Sequence, residues 1–198
     1  MLALLGFVSG ILAVLAYVPY LRDTRRGRTT PSRTSWGIFA ALSLINIANQ
    51  LALGATNSVW VVVGFAFSSV VIFVASIRRG VGGFAALDVA CVAVSLAGLT
   101  AWLVLQTPTI WLACNLAIAS AGLVPTVVKA FHDPESETLV TWLVGGVSSV
   151  LAAISVGHLR LSLLLLPVFY AAVQIFLSLI ILVLRKGTDT RLGVPAEV

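Results

Sequence analysis

The chain has 198 residues, of which 60% are hydrophobic and only 10% charged, with a formal net charge of +5. A soluble domain is closer to a quarter charged, and the mean hydropathy of +1.09 requires most of this chain to face lipid or other lipid-immersed helices. The two cysteines, Cys91 and Cys114, lie inside apolar runs and match no metal-ligand spacing, which excludes a disulfide scaffold and a cysteine-held metal.

A spanning helix needs about 20 mostly apolar residues, and seven such runs follow one another. The first, Leu2–Leu21, carries the GxxxG pair Gly6 and Gly10 and ends near Pro19. No basic stretch precedes it, so it is expected to remain as a span and not to be removed as a signal. The Arg-Gly-Arg-Thr-Thr-Pro turn from Arg26 separates it from the second run, Trp36–Ala55, which holds the densest polar group in the chain: Asn46, Asn49 and Gln50. Ser43 and Trp36 lie on or beside the same helical face. Bare amides cannot point at lipid cheaply, so they are expected to face the bundle interior, either as interhelical glue or as the lining of a solute cavity.

Gly-Ala-Thr-Asn-Ser from Gly54 leads into the third run, Val59–Ile77, with Ser68 and Ser69. After Arg78-Arg-Gly-Val-Gly-Gly comes the fourth, Phe84–Leu105, whose Asp88 is the one carboxylate within a predicted span. Snorkelling or an Arg partner is the simpler expectation for it, a proton relay the alternative. Gln106-Thr-Pro-Thr precedes the fifth run, Ile110–Val128, with Asn115 and Pro125. His132-Asp-Pro-Glu precedes the sixth, Leu139–Val156, with Trp142 and Ser149. Gly157-His158 is the weakest break, before Leu161–Leu184 with Tyr170 and Gln174. Seven spans put eleven of the twelve Lys and Arg on one side and only Arg160 on the other. The positive-inside rule then predicts a multi-pass protein of the plasma (inner) membrane, N-terminus outside and C-terminus cytoplasmic.

One offset of 106 residues pairs Pro19 with Pro125, Trp36 with Trp142, Ser43 with Ser149, Ala13 with Ala119 and Arg79 with Arg185; it also pairs Ser9 with Asn115. Self-similarity at a fixed offset marks a duplicated unit. The expected fold is all-α: seven transmembrane helices, with two parallel three-helix repeats (1–79 and 107–187) joined by a linker helix (80–106) and a cytoplasmic tail (188–198). The odd linker helix makes the halves parallel, related by an axis along the membrane normal. Proline near the end of the first helix of each half frees the carbonyls of Leu15 and Ala121 and kinks the helix. Pro19 and Pro125 are therefore candidate hinges, and Trp36 and Trp142 candidate gates; helix-end prolines and an interfacial Trp belt are the bland alternatives.

Enzyme signatures are missing: no HExxH, no paired intramembrane aspartates, no phosphate-cradling glycine loop. His132 and His158 fall on opposite sides, and no mid-span Lys in the last run would hold retinal. A non-enzyme without cofactor or metal is expected, with lipid and a small solute as partners and no nucleic acid; self-association is left open. Asn46, Asn49, Gln50, Ser43, Asn115, Ser149, Tyr170 and Gln174 are the candidate solute residues. No buried cation or clustered carboxylate is read as available for a strongly charged ligand or for ion coupling, so the expected solute is neutral or zwitterionic.

The pattern resembles the SWEET and PQ-loop superfamily, in which two three-helix repeats flank a linker helix and each repeat ends its first helix with Pro-Gln. The matching stretches are Val18-Pro19-Tyr20 and Val124-Pro125-Thr126, followed by Thr34-Ser35-Trp36 and Val140-Thr141-Trp142. Gln is replaced by Tyr20 and Thr126, and Trp36 and Trp142 stand where many sugar carriers of the family have a second proline. The family holds sugar on a polar residue midway along the third and seventh helices, where this chain has Gly64 and Tyr170. The resemblance implies a small-solute carrier working by alternating access, or a non-transporting receptor or scaffold of the same fold. A water-filled cavity at the Asn46–Gln50 face would favour the carrier, and a solidly packed midplane the scaffold.

Overall fold

The computed structural model describes residues 1–105 and 108–192, and it is helical from end to end. The elements are α1 (Leu2–Leu15), α2 (Tyr17–Arg25), α3 (Arg33–Ala52), α4 (Val59–Arg79), α5 (Ala86–Leu105), α6 (Pro108–His132), a 3-10 turn (Pro134–Ser136), α7 (Leu139–Ser155) and α8 (Leu161–Leu192). Among the described residues, the only strand-like pairing is one isolated bridge between Ser32 and Val81.

Local chemistry sets several of these boundaries. Ser32 caps α3 by accepting the Ser35 N–H at 3.2 Å, which satisfies one of the unpaired amides of the first turn. Gly54 (φ +80°) and Gly157 (φ +74°) follow the last turns of α3 and α7 in the left-handed conformation that a side chain resists. The first predicted run is split: α1 stops at Leu15, whose carbonyl Pro19 leaves without a donor, and α2 starts at Tyr17. The last helix runs on to Leu192, past the expected Leu184 and into the expected tail; residues 193–198, like Gln106 and Thr107, lie outside the described residues.

Five helices are long and apolar enough to cross a membrane: Leu2–Arg25 (α1 with α2), Val59–Arg79, Ala86–Leu105, Ile110–His132 and Leu161–Lys186. The other two expected spans differ for different reasons. α7 has only 17 residues, about 26 Å at 1.5 Å per residue, against a hydrocarbon core of about 30 Å. α3 has the length, but Arg33, Asn46, Asn49 and Gln50 dilute its hydropathy. The outer faces are apolar, as on α1, where Leu4, Phe7, Ile11 and Leu15 are all exposed at the three-to-four-residue spacing of one helical stripe.

Around the inside, the helices form a closed ring in which each packs on the next: α1, α4, α3, α6, α8, α7 and back to α1. α5 stands outside the ring, against α6 and touching α3. The α1–α4 seam is the closest approach. Gly6 lies on the Asn57 backbone, and Gly10 on the Trp60 backbone; a methyl added to Gly64 would sit 2.6 Å from the Gly10 carbonyl oxygen and 2.9 Å from the Ala13 Cβ. The GxxxG pair is thus a helix contact, with small residues letting backbones meet.

Basic side chains gather at one end of the bundle. Arg33 donates to the carbonyls of Ser76 and Gly82, both at 3.0 Å, Arg79 to that of Arg25, and Arg185 to that of Pro134 at 3.1 Å. Arg160 is at the opposite end, on the Leu53 carbonyl at 3.4 Å. Asp88 is neither snorkelling nor Arg-paired; it is buried, and its Oδ2 accepts the backbone N–H groups of Gly83 at 2.8 Å and Ala85 at 3.3 Å. Backbone amides at the start of α5 satisfy it where a guanidinium was expected, as helix N-termini do for carboxylates.

Gly64→Ala should destabilise the protein by about 1–3 kcal/mol, the usual cost of forcing atoms into a packed core, because two backbones must part. Gly37→Ala meets only the Phe73 ring edge at 3.1 Å, which can swing aside. Thermal unfolding in detergent compares the two, and equal losses would contradict so close an α1–α4 seam.

Candidate functional site

Two polar assemblies sit inside the ring, one at mid-depth and one at the basic end. At mid-depth, Asn46 of α3 is fully buried. Its Nδ2 donates to the Tyr170 hydroxyl of α8 at 3.3 Å, and its Oδ1 accepts from Asn115 Nδ2 of α6. One amide therefore ties three helices. Ser43 pairs with Ser69 of α4 at 3.0 Å, and Gln174 Nε2 of α8 donates to Ser149 Oγ of α7 at 3.1 Å. Ser43 and Ser149 are the residues matched by the 106-residue offset, and each bonds the next helix of its own group. Ser148 adds a bond from α7 to the Ser9 carbonyl of α1 at 2.7 Å.

Of the eight candidate solute residues, Ser43, Asn46, Asn115, Ser149, Tyr170 and Gln174 line or approach this interior. Gln50 is buried with its Oε1 unpartnered. Asn49 departs from expectation: it is half-buried and returns its Nδ2 to the Ile45 carbonyl of its own helix at 3.1 Å. At about 100° per residue it lies on the side of Asn46 away from Ser43 and Gln50, rotated off the interior face they share. Gly145 makes room for the Gln174 amide, whose Oε1 would collide with any β-carbon there. The Oε1 of Gln174 and the Oδ1 of Asn115 are buried without a partner, a condition that costs about 1–3 kcal/mol per group unless water or a ligand fills the gap.

The space beside these groups is small. Two cavities of about 10 and 20 Å³ lie among Tyr17, Phe65, Tyr170 and Gln174, each roughly the room one water needs. The larger cavity, about 370 Å³, lies elsewhere, between α3, α4, α5 and α6; it is lined by apolar side chains such as Ile38, Leu42, Val92 and Leu99. It offers little to a polar solute. Among the described residues the midplane is packed in this conformation, without a solute-sized chamber at the Asn46–Gln50 face.

The basic end is closed by aromatic rings. Trp36 and Trp142 are buried and stack on each other, ring centroids 6.3 Å apart and planes 29° apart. They are not belt residues, since neither reaches the surface. Tyr17, Tyr20 and Phe39 stand edge-on around Trp36 within 6 Å, a geometry favoured by ring quadrupoles. Trp36 Nε1 donates to the Tyr20 hydroxyl and Trp142 Nε1 to Glu137 Oε2, both at 3.1 Å. The prolines differ. Pro19 is half-buried just after the α1–α2 break, whereas Pro125 is buried inside an uninterrupted α6. Equivalent prolines have not produced equivalent breaks.

Sequence reading missed the residue at the centre of this end. Glu137 is 1% exposed, and its Oε1 meets the Lys129 ammonium at 2.5 Å as an ion pair. The expectation is that no buried cation or clustered carboxylate is available; a single buried carboxylate is found here, paired with a cation that is itself 13% exposed, and both lie just outside the predicted spans, where burial depends on how two loops pack. Lys129 also donates to the carbonyls of Thr30 and Ser136. Position 129 is 106 residues from Asp23, and Asp23 Oδ2 accepts from Thr138 Oγ1 at 3.2 Å. The two positions thus each send one charge towards a loop in the other half of the chain, with opposite sign; that pairing was the available signal. Burial raises the Glu137 carboxyl above the ordinary glutamate range, and Lys129, Trp142 and Tyr20 oppose the shift without cancelling it.

No family model, curated protein or solved structure matches this chain.

Asn115→Leu should cost about 1–3 kcal/mol, since it strips the donor from the buried Asn46 Oδ1. Asn49→Leu, which breaks only a bond within its own helix, should not destabilise. Denaturant titration of both variants checks the contrast, and a loss at Asn49 as large as at Asn115 would remove Asn46 from the centre of the network.

Proposed function

We propose that the chain is a seven-span carrier for a small neutral or zwitterionic polar solute, captured closed at both ends. The observation that carries this reading is the set of buried amide oxygens without partners, Gln50 Oε1, Asn115 Oδ1 and Gln174 Oε1, contributed by helices of both three-helix groups. A membrane interior supplies no water to satisfy such groups, and a purely structural seam gains nothing from them. A solute or its waters would. Amides and hydroxyls dominate this interior, which suits sugar-like, amino-acid-like or vitamin-like solutes better than strongly charged ones.

In this reading the groups are α1/α2–α4–α3 and α6–α8–α7, parallel repeats about an axis along the membrane normal, with α5 as the linker, as in the SWEET and PQ-loop superfamily. The order of packing within the ring supports it: in each group the third helix lies between the first and second. The 106-residue offset supports it independently. This reading sets the basic end in the cytoplasm by the positive-inside rule and takes the membrane to be the plasma (inner) membrane. Rocking about the midplane would part Trp36 from Trp142 at one end. At the other it would part Ala55 and Val59 from Val156 and Leu163, together with the Asn57–Ser155 bond of 3.4 Å. Either motion opens Asn46, Asn115 and Tyr170 to solution.

The packed midplane favours a second reading, a receptor or scaffold of the same architecture that moves nothing. A thermal-shift screen of sugars, amino acids and vitamins on purified protein discriminates between them. A true solute at a hundredfold its Kd adds about 2.7 kcal/mol of stability by mass action, whereas a scaffold gives no shift with any of them.

Carrier function further predicts that Pro19→Ala and Pro125→Ala slow exchange between end states while sparing solute affinity, and that Trp36→Ala and Trp142→Ala leak. Solute counterflow and equilibrium binding on the four variants read both effects. Wild-type exchange in both proline variants would end the hinge role; because α6 is unbroken at Pro125, the larger effect is expected at Pro19.

A further inference from the structure

We propose that Glu137 is a proton-binding site, which takes up a proton from solution as the basic end closes over it and returns that proton to the same side when the end opens. This deepens the carrier reading and rests on it for a role in transport, since it makes closure of the basic end pH-dependent without carrying the proton across.

The geometry concerns one carboxyl at the junction of both helix groups. Glu137 has no side-chain exposure, and its two oxygens are held separately, Oε1 by Lys129 and Oε2 by the Trp142 indole. Lys129 in turn reaches the Thr30 carbonyl of the opposite group, and Trp142 stacks on Trp36 of that group. Both direct partners belong to Glu137's own group, so parting the groups withdraws Thr30, Trp36 and Tyr20 from around the Lys129–Glu137 pair and lets in water. The charged groups facing it are few. From α6 come Lys129 and, one turn on, the exposed His132. From α2 come Tyr20 and, through Thr138, Asp23. From α8 comes Arg185, which donates to the Glu137 carbonyl and pairs with Glu135 at 3.3 Å, so its charge is spent on other oxygens. From α7 comes only Trp142, and from the loop before α3 only the Thr30 carbonyl. One cation for one carboxylate, at zero exposure, leaves the charged form poorer in solvation than in water.

The sign follows from linkage. The closed state holds the carboxyl above the ordinary glutamate value because burial outweighs the cation, while a hydrated open end returns it to about 4.3. The state with the higher value binds the proton more tightly, so protonation favours closure. Opening is then favoured as pH rises from the ordinary glutamate value through the raised one. The step balances without a co-reactant: the carboxylate accepts one proton from hydronium on closing and releases it to water on opening.

A test needs no solute. Ser35, buried beside Trp36, is replaced by cysteine in a Cys91→Ala, Cys114→Ala background. Its labelling by a charged methanethiosulfonate reagent is followed in nanodiscs across pH. Rates are divided by those of a short unstructured cysteine peptide at each pH, which removes the ionisation of the thiol itself. The expected result is a corrected rate that rises with pH, at most about tenfold per unit for one proton. Glu137→Gln should stay slow and flat. Lys129→Gln, which removes the cation favouring the carboxylate, should move the rise to higher pH, and Lys129→Arg should leave it in place. A purely structural pair would change rates without moving a midpoint. The same slope in Glu137→Gln as in the parent, or an unmoved midpoint in Lys129→Gln, overturns the proposal. Size-exclusion profiles identify any variant that fails to fold, and the two lysine variants are by themselves enough to decide the matter. pH-dependent labelling in a protein that shows no counterflow sinks the carrier and leaves the proton site standing; counterflow with pH-indifferent labelling does the reverse.

Discussion

A lipid interior offers a buried polar group no water, so every hydroxyl and amide on these helices must be answered from within the protein. That requirement explains why the molecule has polar residues inside and apolar ones outside. Leu4, Phe7, Ile11 and Leu15 face outward on α1, while Ser9 on the same helix is buried, bonded to the Gly6 carbonyl at 2.6 Å, and lends its own carbonyl to Ser148. Asn46 serves the same need on a larger scale, since one amide has a donor and an acceptor and can close bonds to two further helices at once. The close glycine seam between α1 and α4 is the complement of this arrangement: one long hydroxyl bond, Ser68 to the Ala13 carbonyl at 3.4 Å, crosses it, and the rest of the contact comes from backbones that approach closely.

The two ends of the ring are held by different physics. At the end carrying Arg160, Ala55, Val59, Val156 and Leu163 make a small apolar cluster that can part with little electrostatic consequence. At the basic end, stacked indoles, a tyrosine hydroxyl and a buried ion pair interlock. Such a pair contributes little net stability in the closed state, because desolvation offsets much of the attraction. An interaction of that kind defines one closed geometry more than it strengthens it.

Positions 106 residues apart are placed alike but differ in chemistry. Asp23 and Lys129 both reach into the opposite loop, one accepting a hydroxyl and the other donating to a carbonyl. Ser43 and Ser149 both tie neighbouring helices, but to a serine in one group and to a glutamine in the other. The correspondence ends at Glu137, since Pro31 stands 106 residues before it and offers no carboxyl.

Period and composition alone settled what depends on local chain physics. The apolar runs, the turn residues between them and the segregation of arginines were legible because helix length, hydropathy and loop charge are properties of consecutive residues. The inward turn of Asn46 and Ser43 was legible for the same reason, as the helical period places them on one face. Burial of Glu137 was not, because it sits in a loop and is covered only when segments more than a hundred residues apart meet. The outward rotation of Asn49, the break at Ala16 without a match at Pro125, and the packed midplane were likewise decided by tertiary contact. Each depends on which neighbour fills a space, and a sequence records neighbours along the chain but not across it.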